Sequence, residues 1–209
     1  MAERIALVDY GAGNLRSVAN ALAVAGGTRA VEVVTTSRPE DVLAADRIVL
    51  PGVGAFGACI AALRALPGME AALNTAVIAN ARPFLGICVG MQLMADEGQE
   101  HGTHRGLGWI GGKVIRLAPS DAALKIPHMG WNQVTPAAPH PLVEAGEAYF
   151  VHSYCFDAAN PRHLVATTDY GQPVTAAIGR DNMLGVQFHP EKSQRYGLSL
   201  LSRFLDWKP

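Results

Sequence analysis

The chain has 209 residues, of which 49% are hydrophobic and 17% are charged, and its formal net charge is −1. Such a chain is long and apolar enough to bury the core of one domain, so we expect a single domain over residues 1–209. Basic and acidic residues are intermixed and nearly balanced, which excludes an extended basic surface for nucleic acid or for an anionic membrane.

The sequence lacks the usual features of an exported or membrane-bound protein. Residues Met1–Arg4 lead directly into a strand-like stretch without the apolar core of a signal peptide, and no apolar run is long enough to span a bilayer. The widely spaced Cys59, Cys88 and Cys155 form no C-x-x-C pair, which argues against a disulfide framework or a zinc ribbon. We therefore expect a soluble, cytoplasmic protein.

Strand-like and helix-like segments alternate through the first half of the chain. Apolar runs predict strands at 4–10, 30–35, 47–50 and 84–87. Apolar residues at helical spacing predict helices at 14–25, 37–45, 59–66 and 69–80, and one more helix that ends near Glu97. Ser37 and Glu40 have the spacing of a capping box, with Pro39 in the first turn of the second helix.

Two glycine-rich stretches follow predicted strands and resemble nucleotide-binding loops. In the first, Gly11–Gly13, the third glycine position holds Arg16, so the dinucleotide fingerprint fails. The second, Gly52–Gly57, satisfies G-x-G-x-x-G, but the next strand ends in Cys88 instead of the acid that would hold a ribose. We expect its backbone N–H groups to point into a site beside Cys88, at the carboxyl edge of the sheet.

Two weaker motifs lie further along the chain. His101 and His104 could form a metal pair, but no third ligand is nearby, so we expect a solvated loop at 98–106 and no metal site. Gly111-Gly112-Lys113 lacks the Ser or Thr of a phosphate-binding loop. Neither motif predicts a cofactor.

A sharp bend is predicted at Cys88, between the apolar run Phe84–Ile87 and a helix-prone stretch. Gly86 and Gly90 flank the cysteine, as in a nucleophile elbow with sulfur in place of oxygen. Such a turn places the side chain above the sheet and at a helix N-terminus, which favours thiolate over thiol. The alternative is a buried cysteine that acts as a small hydrophobe.

The second half of the chain becomes rich in strand patterns. Strands are predicted at 113–117, 149–156, 163–168, 174–178 and 183–188. A final helix at 194–207 is expected to bury Leu198, Leu201, Phe204 and Leu205. Together the elements predict an α/β fold: an open, mostly parallel twisted sheet flanked by helices, with an added antiparallel β-rich part in the C-terminal half.

His189 and Glu191 follow the last predicted strand. Residues two apart in an extended chain share a face, and Pro190 keeps His189 extended, so imidazole and carboxylate can meet. An isolated His-Pro-Glu would more commonly be a strand end with a solvated glutamate. Combined with the Cys88 elbow and a glycine-rich loop at the same sheet edge, it predicts a Cys/His/Glu triad with an oxyanion hole.

The stretches Gly86–Gln92 and Gln187–Ser193 resemble those of the triad, or class I, glutamine amidotransferases. Within that family, Asp9–Ser17, Pro127–Asn132 and Tyr149–Tyr154 are similar to the glutaminase subunits of imidazole glycerol phosphate synthases. The similarity covers nearly the whole chain. One departure is Val89, where leucine is common in the wider family, and it leaves the backbone N–H in place.

The resemblance implies an activity and assigns roles to residues. L-glutamine would be attacked by Cys88, with His189 as the proton carrier, Glu191 as its orienting partner and no cofactor. The oxyanion would be bound by N–H groups of Val89 and of the Gly52–Val53 loop, whose peptide must rotate to complete the hole. The resemblance also assigns substrate contacts, which are Gln92, Ser153 and Tyr154.

The resemblance further implies a heterodimer with a cyclase subunit that has a (β/α)₈ barrel and receives ammonia through a channel. The residues that would face it are Asn14, Trp131, Tyr149 and Lys192. Each could instead be an ordinary core or solvated residue. Other open alternatives are a glutaminase subunit for anthranilate or pyridoxal phosphate synthesis, and a binding module of the same fold without activity.

Overall fold

The computed structural model describes residues 2–121 and 123–209. Its strands are β1 (Glu3–Val8), β2 (Val31–Thr36), β3 (Arg47–Gly52), β4 (Phe84–Cys88), β5 (Glu97–Gly98), β6 (His104–Arg105), β7 (Gly112–Arg116), β8 (His128–Pro136), β9 (Gly146–His152), β10 (Tyr154–Ala158), β11 (Leu164–Asp169), β12 (Pro173–Arg180) and β13 (Met183–Val186). Its α-helices are α1 (Leu15–Gly26), α2 (Pro39–Ala44), α3 (Phe56–Ala65), α4 (Met69–Leu73), α5 (Val89–Gln92) and α6 (Gln194–Asp206).

A nine-stranded sheet forms the centre of the fold, in the order β2-β1-β3-β4-β13-β12-β11-β8-β9. The strands from β2 to β13 in this order pair in parallel, and those from β13 to β9 pair antiparallel. A smaller sheet has the order β10-β7-β5-β6. The predicted α/β class with an open sheet and an antiparallel C-terminal part is confirmed, and the antiparallel strands extend the parallel sheet into one mixed sheet.

The burial of β3 and β4 fits their place inside the parallel half of the sheet. All residues of β3 and β4 are buried, as expected for strands covered by helices on both faces. Helix α1 contributes Val18 and Leu22 to the core, and α6 contributes Leu201 and Phe204. In the described parts of the chain, no single helix is long and apolar enough to cross a membrane, and the one pair that qualifies together is bent by 94°.

The helix after Cys88 is shorter than predicted. It ends at Gln92 instead of near Glu97. The carbonyl groups of Leu93, Met94 and Ala95 accept hydrogen bonds from backbone N–H groups in the stretch 107–110. Because those carbonyls are already paired with a returning loop, the chain does not continue the helical ladder.

Two predictions for the second half were wrong. The strand predicted at 149–156 is interrupted at Ser153, and its halves, β9 and β10, belong to different sheets. Strand β8 was not predicted, because only His128 and Val134 in it are buried and its apolar signal is weak.

Smaller differences occur at the helices. The N-cap of α2 is Arg38 and not Ser37, because Thr36 Oγ1 accepts the Arg38 N–H and its hydroxyl donates to Asp41. The helix predicted at 69–80 becomes a π-helix over Asn74–Ala79. In α6, Leu200 is buried, whereas Leu198, which was predicted to be buried, is not.

Candidate active site

Cys88 ends β4 in a strained backbone conformation immediately before α5. Its φ is 54° and its ψ is −113°, a region that non-glycine residues rarely adopt. Such strain costs about 1–3 kcal/mol and persists only where the surrounding structure holds it. The sharp strand-to-helix turn predicted from the sequence is therefore present.

The two glycines that flank Cys88 are required by close backbone contacts. A Cβ on Gly90 would lie 1.8 Å from the carbonyl oxygen of Leu50 in β3. A Cβ on Gly86 would lie 2.8 Å from the Gly90 carbonyl oxygen. No side chain can be added at either position without moving the backbone, so the turn packs against β3 only with glycine on both sides.

His189 and Glu191 are in contact, as their spacing predicts. His189 is extended, with φ −99° and ψ 98°, and its Nδ1 lies 2.8 Å from Glu191 Oε1. The side chains are only 3% and 1% exposed. With Nδ1 engaged, His189 Nε2 has no hydrogen-bond partner among the described residues. That nitrogen is the atom left to exchange a proton.

Cys88 and His189 are coupled electrostatically. Burial lowers the pKa of His189, but its interactions with the nearby Cys88 and with Glu191 outweigh burial and raise it to about 10. A proton that leaves the sulfur is therefore held firmly on the imidazole at neutral pH. This arrangement suits a nucleophile paired with a base.

A cavity of about 310 Å³ opens above these groups. It is lined by Val53, Gly54, Cys88, Val89, Gln92, Glu100, Pro127, Val151, His152, Ser153, Tyr154, His189 and Lys192. The predicted substrate residues Gln92, Ser153 and Tyr154 all line it. Glu100 and His152 also line it, and neither was predicted: Glu100 belongs to no motif, and His152, although it lies in the family-like stretch Tyr149–Tyr154, was given no role.

The segment predicted to supply an oxyanion N–H lies beside the sulfur. Gly52 pairs with Cys88 across β3 and β4, and Val53 is 43% exposed. The Tyr10 hydroxyl donates to the carbonyl of Pro51 at 2.8 Å, and the Cys59 thiol donates to that of Val53 at 3.3 Å. Carbonyls on both sides of Gly52 are thus held by buried side chains.

Three of the four predicted partner-facing residues form one surface cluster. The rings of Trp131 and Tyr149 are 6.2 Å apart, and Lys192 Nζ lies 5.8 Å from the Tyr149 ring centroid. Trp131 is 47% exposed. The Tyr149 carbonyl accepts the backbone N–H of His189 at 2.9 Å, so the cluster adjoins the end of the strand that carries His189. Asn14 follows β1, whose carboxyl end lies at the same edge of the parallel sheet.

A pair of buried histidines lies on β8 and β9. His128 Nδ1 is 3.0 Å from His152 Nε2, and His152 Nδ1 is 2.8 Å from the carbonyl oxygen of Tyr154. Burial lowers the pKa of each histidine to about 4. Both rings are therefore neutral at pH 7, and they act as hydrogen-bonding groups.

Because of the histidine pair, we expect the stability of the fold to fall in acid. From the ordinary pKa of 6.5 down to about 4, the unfolded chain binds protons at His128 and His152 that the folded chain does not. The free energy of unfolding should therefore fall with decreasing pH in this window, by about 1–3 kcal/mol from the pair. Urea unfolding at about pH 7 and about pH 5 measures the slope.

The matched variants are His128→Gln and His101→Gln, of which the second lies in an exposed loop. His128→Gln should lower stability at neutral pH and make the slope with pH shallower. His101→Gln should leave the slope unchanged. An unaltered slope in His128→Gln would contradict a neutral buried pair.

Comparison with known proteins gives the family. Residues 6–207 match the family profile of class-I glutamine amidotransferases. The imidazole glycerol phosphate synthase subunit HisH of Zymomonas mobilis is 62% identical over 206 residues, covering 98% of this chain and 96% of that protein. HisH of Rhodospirillum rubrum is 56% identical over 213 residues, covering 99% and 100%.

Solved structures agree with the fold. A crystal structure of a glutamine amidotransferase superposes with a TM-score of 0.71 at 18% identity, covering 96% of this chain and 97% of that one. The glutaminase domain of Trypanosoma brucei CTPS, solved with bound acivicin, gives a TM-score of 0.65 at 18% identity, covering 99% and 95%. With a family profile matched over nearly its whole length and HisH relatives above half identity, the chain belongs to the class-I glutamine amidotransferases, among the HisH subunits of imidazole glycerol phosphate synthase.

Proposed function

We propose that the chain hydrolyses L-glutamine to glutamate and ammonia through a thioester on Cys88. The observation that carries this function is the pairing of a strained elbow cysteine with a histidine whose other nitrogen is held by Glu191 at 2.8 Å. All three triad positions hold residues that can do the chemistry, Cys88, His189 and Glu191, which favours an enzyme over a binding module of the same fold. The cavity is large enough to accept an amino acid.

Each proton in the reaction has a carrier. The Cys88 thiol transfers its proton to His189 Nε2, and the thiolate attacks the carboxamide carbon of glutamine. His189 then protonates the leaving nitrogen, which departs as ammonia and leaves a γ-glutamyl thioester. Water, deprotonated by His189, attacks the thioester, and glutamate leaves as the sulfur regains its proton. Glu191 holds the ring throughout and stabilises its charged form.

The oxyanion formed in each attack needs two N–H donors. One is the backbone N–H of Val89, at the start of α5, and the other comes from the Gly52–Val53 peptide. Rotation of that peptide would complete the hole. Both N–H bonds of the Gln92 amide point to protein acceptors, at 3.0 and 3.1 Å, so its oxygen is the atom left for glutamine. Ser153 and Tyr154 also line the cavity.

Ammonia released in open solvent would be protonated and lost, so we place the chain in a heterodimer with a cyclase that has a (β/α)₈ barrel. The cluster of Trp131, Tyr149 and Lys192, with Asn14, would face that subunit. The cyclase products would be imidazole glycerol phosphate and an aminoimidazole carboxamide ribonucleotide, formed in the cytoplasm. The full-length identity to HisH subunits favours this assembly over anthranilate or pyridoxal phosphate synthases.

The partner is expected to activate glutamine hydrolysis by about 10²–10³-fold, which is the factor by which kcat usually falls when one oxyanion donor is removed. Glutamate release is measured for the chain alone, with the cyclase, and with the cyclase and its ribonucleotide. Trp131→Ala should weaken association by about 10-fold or more, because exposed tryptophans in such clusters dominate interfaces.

Ile78→Ala is the matched control for the interface. It also removes an exposed apolar side chain, at 45% exposure, but in the π-helical segment outside the cluster. It should associate normally. Equal glutaminase rates with and without the cyclase would refute the coupling.

A further inference from the structure

A buried glutamine donates to the nucleophile. Gln187 is 0% exposed, and its Nε2 lies 3.7 Å from Cys88 Sγ, within the range of an N–H···S hydrogen bond. Its Oε1 accepts from Gln92 Nε2 at 3.0 Å. Gln92 Nε2 also donates to the carbonyl oxygen of Tyr154 at 3.1 Å. Gln187 is thus placed between the sulfur and the substrate-side glutamine.

The direction of these hydrogen bonds is fixed by the Tyr154 carbonyl. A carbonyl oxygen only accepts, so the Gln92 atom that faces it must be the amide nitrogen. The same nitrogen then faces Gln187, which must present its oxygen. The remaining Gln187 group, its NH₂, is therefore directed at the sulfur.

A second branch runs from the same carbonyl to strand β8. His152 must donate its Nδ1–H to Tyr154, so its Nε2 accepts from His128 Nδ1–H. His128 Nε2 then accepts from Asn132 Nδ2 at 3.2 Å. Every member has a consistent donor and acceptor. Asn132 follows the exposed Trp131, so this relay of hydrogen bonds joins the predicted partner-facing strand to the sulfur's own neighbour.

We propose that Gln187 is a positioning residue for Cys88, held in place by the relay through Gln92, Tyr154, His152 and His128, an inference that rests on the proposed function. Its N–H fixes the orientation of the sulfur and stabilises the thiolate. A hydrogen bond to an ionised acceptor is stronger than one to a neutral acceptor, so it favours the attacking form. Gln187 itself is not among the residues that line the cavity.

The test is the pH profile of Cys88 alkylation by iodoacetamide, read by mass spectrometry, in a Cys155→Ala background. Burial raises the pKa of Cys59 to about 11, so that thiol reacts slowly. Gln187→Leu removes both hydrogen bonds of the amide, and Gln187→Glu keeps the acceptor for Gln92 but removes the donor. Both variants should raise the pH midpoint of Cys88 alkylation by about one pH unit or more.

The other titratable or charged groups around the sulfur remain in place in both variants, and they are Tyr10, Cys59, Glu100, His152, His189 and Lys192. Gln187→Leu introduces no charge, so a shifted midpoint in that variant reports the loss of the Gln187 donor. Gln187→Glu adds a carboxylate beside the sulfur and should shift the midpoint at least as far. In steady-state glutaminase assays with the cyclase, kcat should fall by about 10-fold, while KM stays within about 2-fold.

Gln133→Leu, at an exposed site on β8, is the control for the alkylation assay and should leave its pH midpoint unchanged. His128→Asn tests the relay and should shift the alkylation midpoint in the same direction by a smaller amount. Unchanged midpoints in folded Gln187→Leu and Gln187→Glu would overturn the proposal. Absence of glutamine hydrolysis in the wild-type complex would instead overturn the proposed function, because alkylation needs no turnover.

Discussion

Replacing Cys88 with alanine is expected to lower glutamine hydrolysis by about 10⁴-fold or more, with or without the cyclase. In the proposed mechanism the sulfur forms the thioester, and no described side chain in the cavity can replace it as a nucleophile at neutral pH. The substitution should also return the pKa of His189 towards its ordinary value, because the interaction with Cys88 is the strongest that raises it.

Glutamate formation measured by a coupled dehydrogenase assay gives the rate, and NMR titration of the His189 ring gives the pKa. Cys155→Ala is the matched control. Cys155 lies on β10, outside the cavity, and burial raises the pKa of its thiol to about 11. Activity in Cys155→Ala should stay within about 2-fold of the wild type. A Cys88→Ala enzyme with near-normal turnover would refute the thioester.

Replacing Glu191 with glutamine should lower kcat by about 10²–10⁴-fold, with a much smaller change in KM. The neutral amide has nearly the same volume, but it removes the charge that helps to hold a proton on His189. It can also present its NH₂ to Nδ1 and so select the tautomer with the proton on Nε2, which cannot accept the thiol proton.

The pKa of His189 should fall in Glu191→Gln, because the carboxylate charge that helps to raise it is removed. Glu147→Gln makes the same chemical change at an exposed position of β9 and should leave the kinetics unaltered. If Glu191→Gln kept wild-type kcat across the pH profile, the carboxylate would have no role in orienting the base.

Local backbone rules were sufficient to predict the core of the site. Glycines two residues on either side of Cys88 indicate the turn, and the His-Pro-Glu spacing indicates the contact between His189 and Glu191. Both depend on covalent geometry within a few residues. The family-derived roles of Val53, Val89 and the substrate residues stay predictions, although all of them line the cavity.

The interactions that were missed depend on tertiary contacts. Helix α5 stops early because a loop pairs with the backbone carbonyls that follow it. Strands β9 and β10 separate because they pair with strands of two different sheets. The relay from Gln187 to His128 joins segments far apart in sequence, so its full path has no sequence pattern. One signal was available: Gln187 is two residues before His189, so an extended chain places both on one face.

The position of β13 between β4 and β12 has a consequence for biosynthesis. While a ribosome is still producing the first 180 residues, β4 has a neighbour on one side only and exposes a row of unpaired backbone groups, which invites aggregation. Insertion of β13 closes that edge and delivers the imidazole to the sulfur in the same event. A growing or truncated chain therefore cannot hydrolyse glutamine, because Cys88 and His189 come together only once β13 has paired with β4.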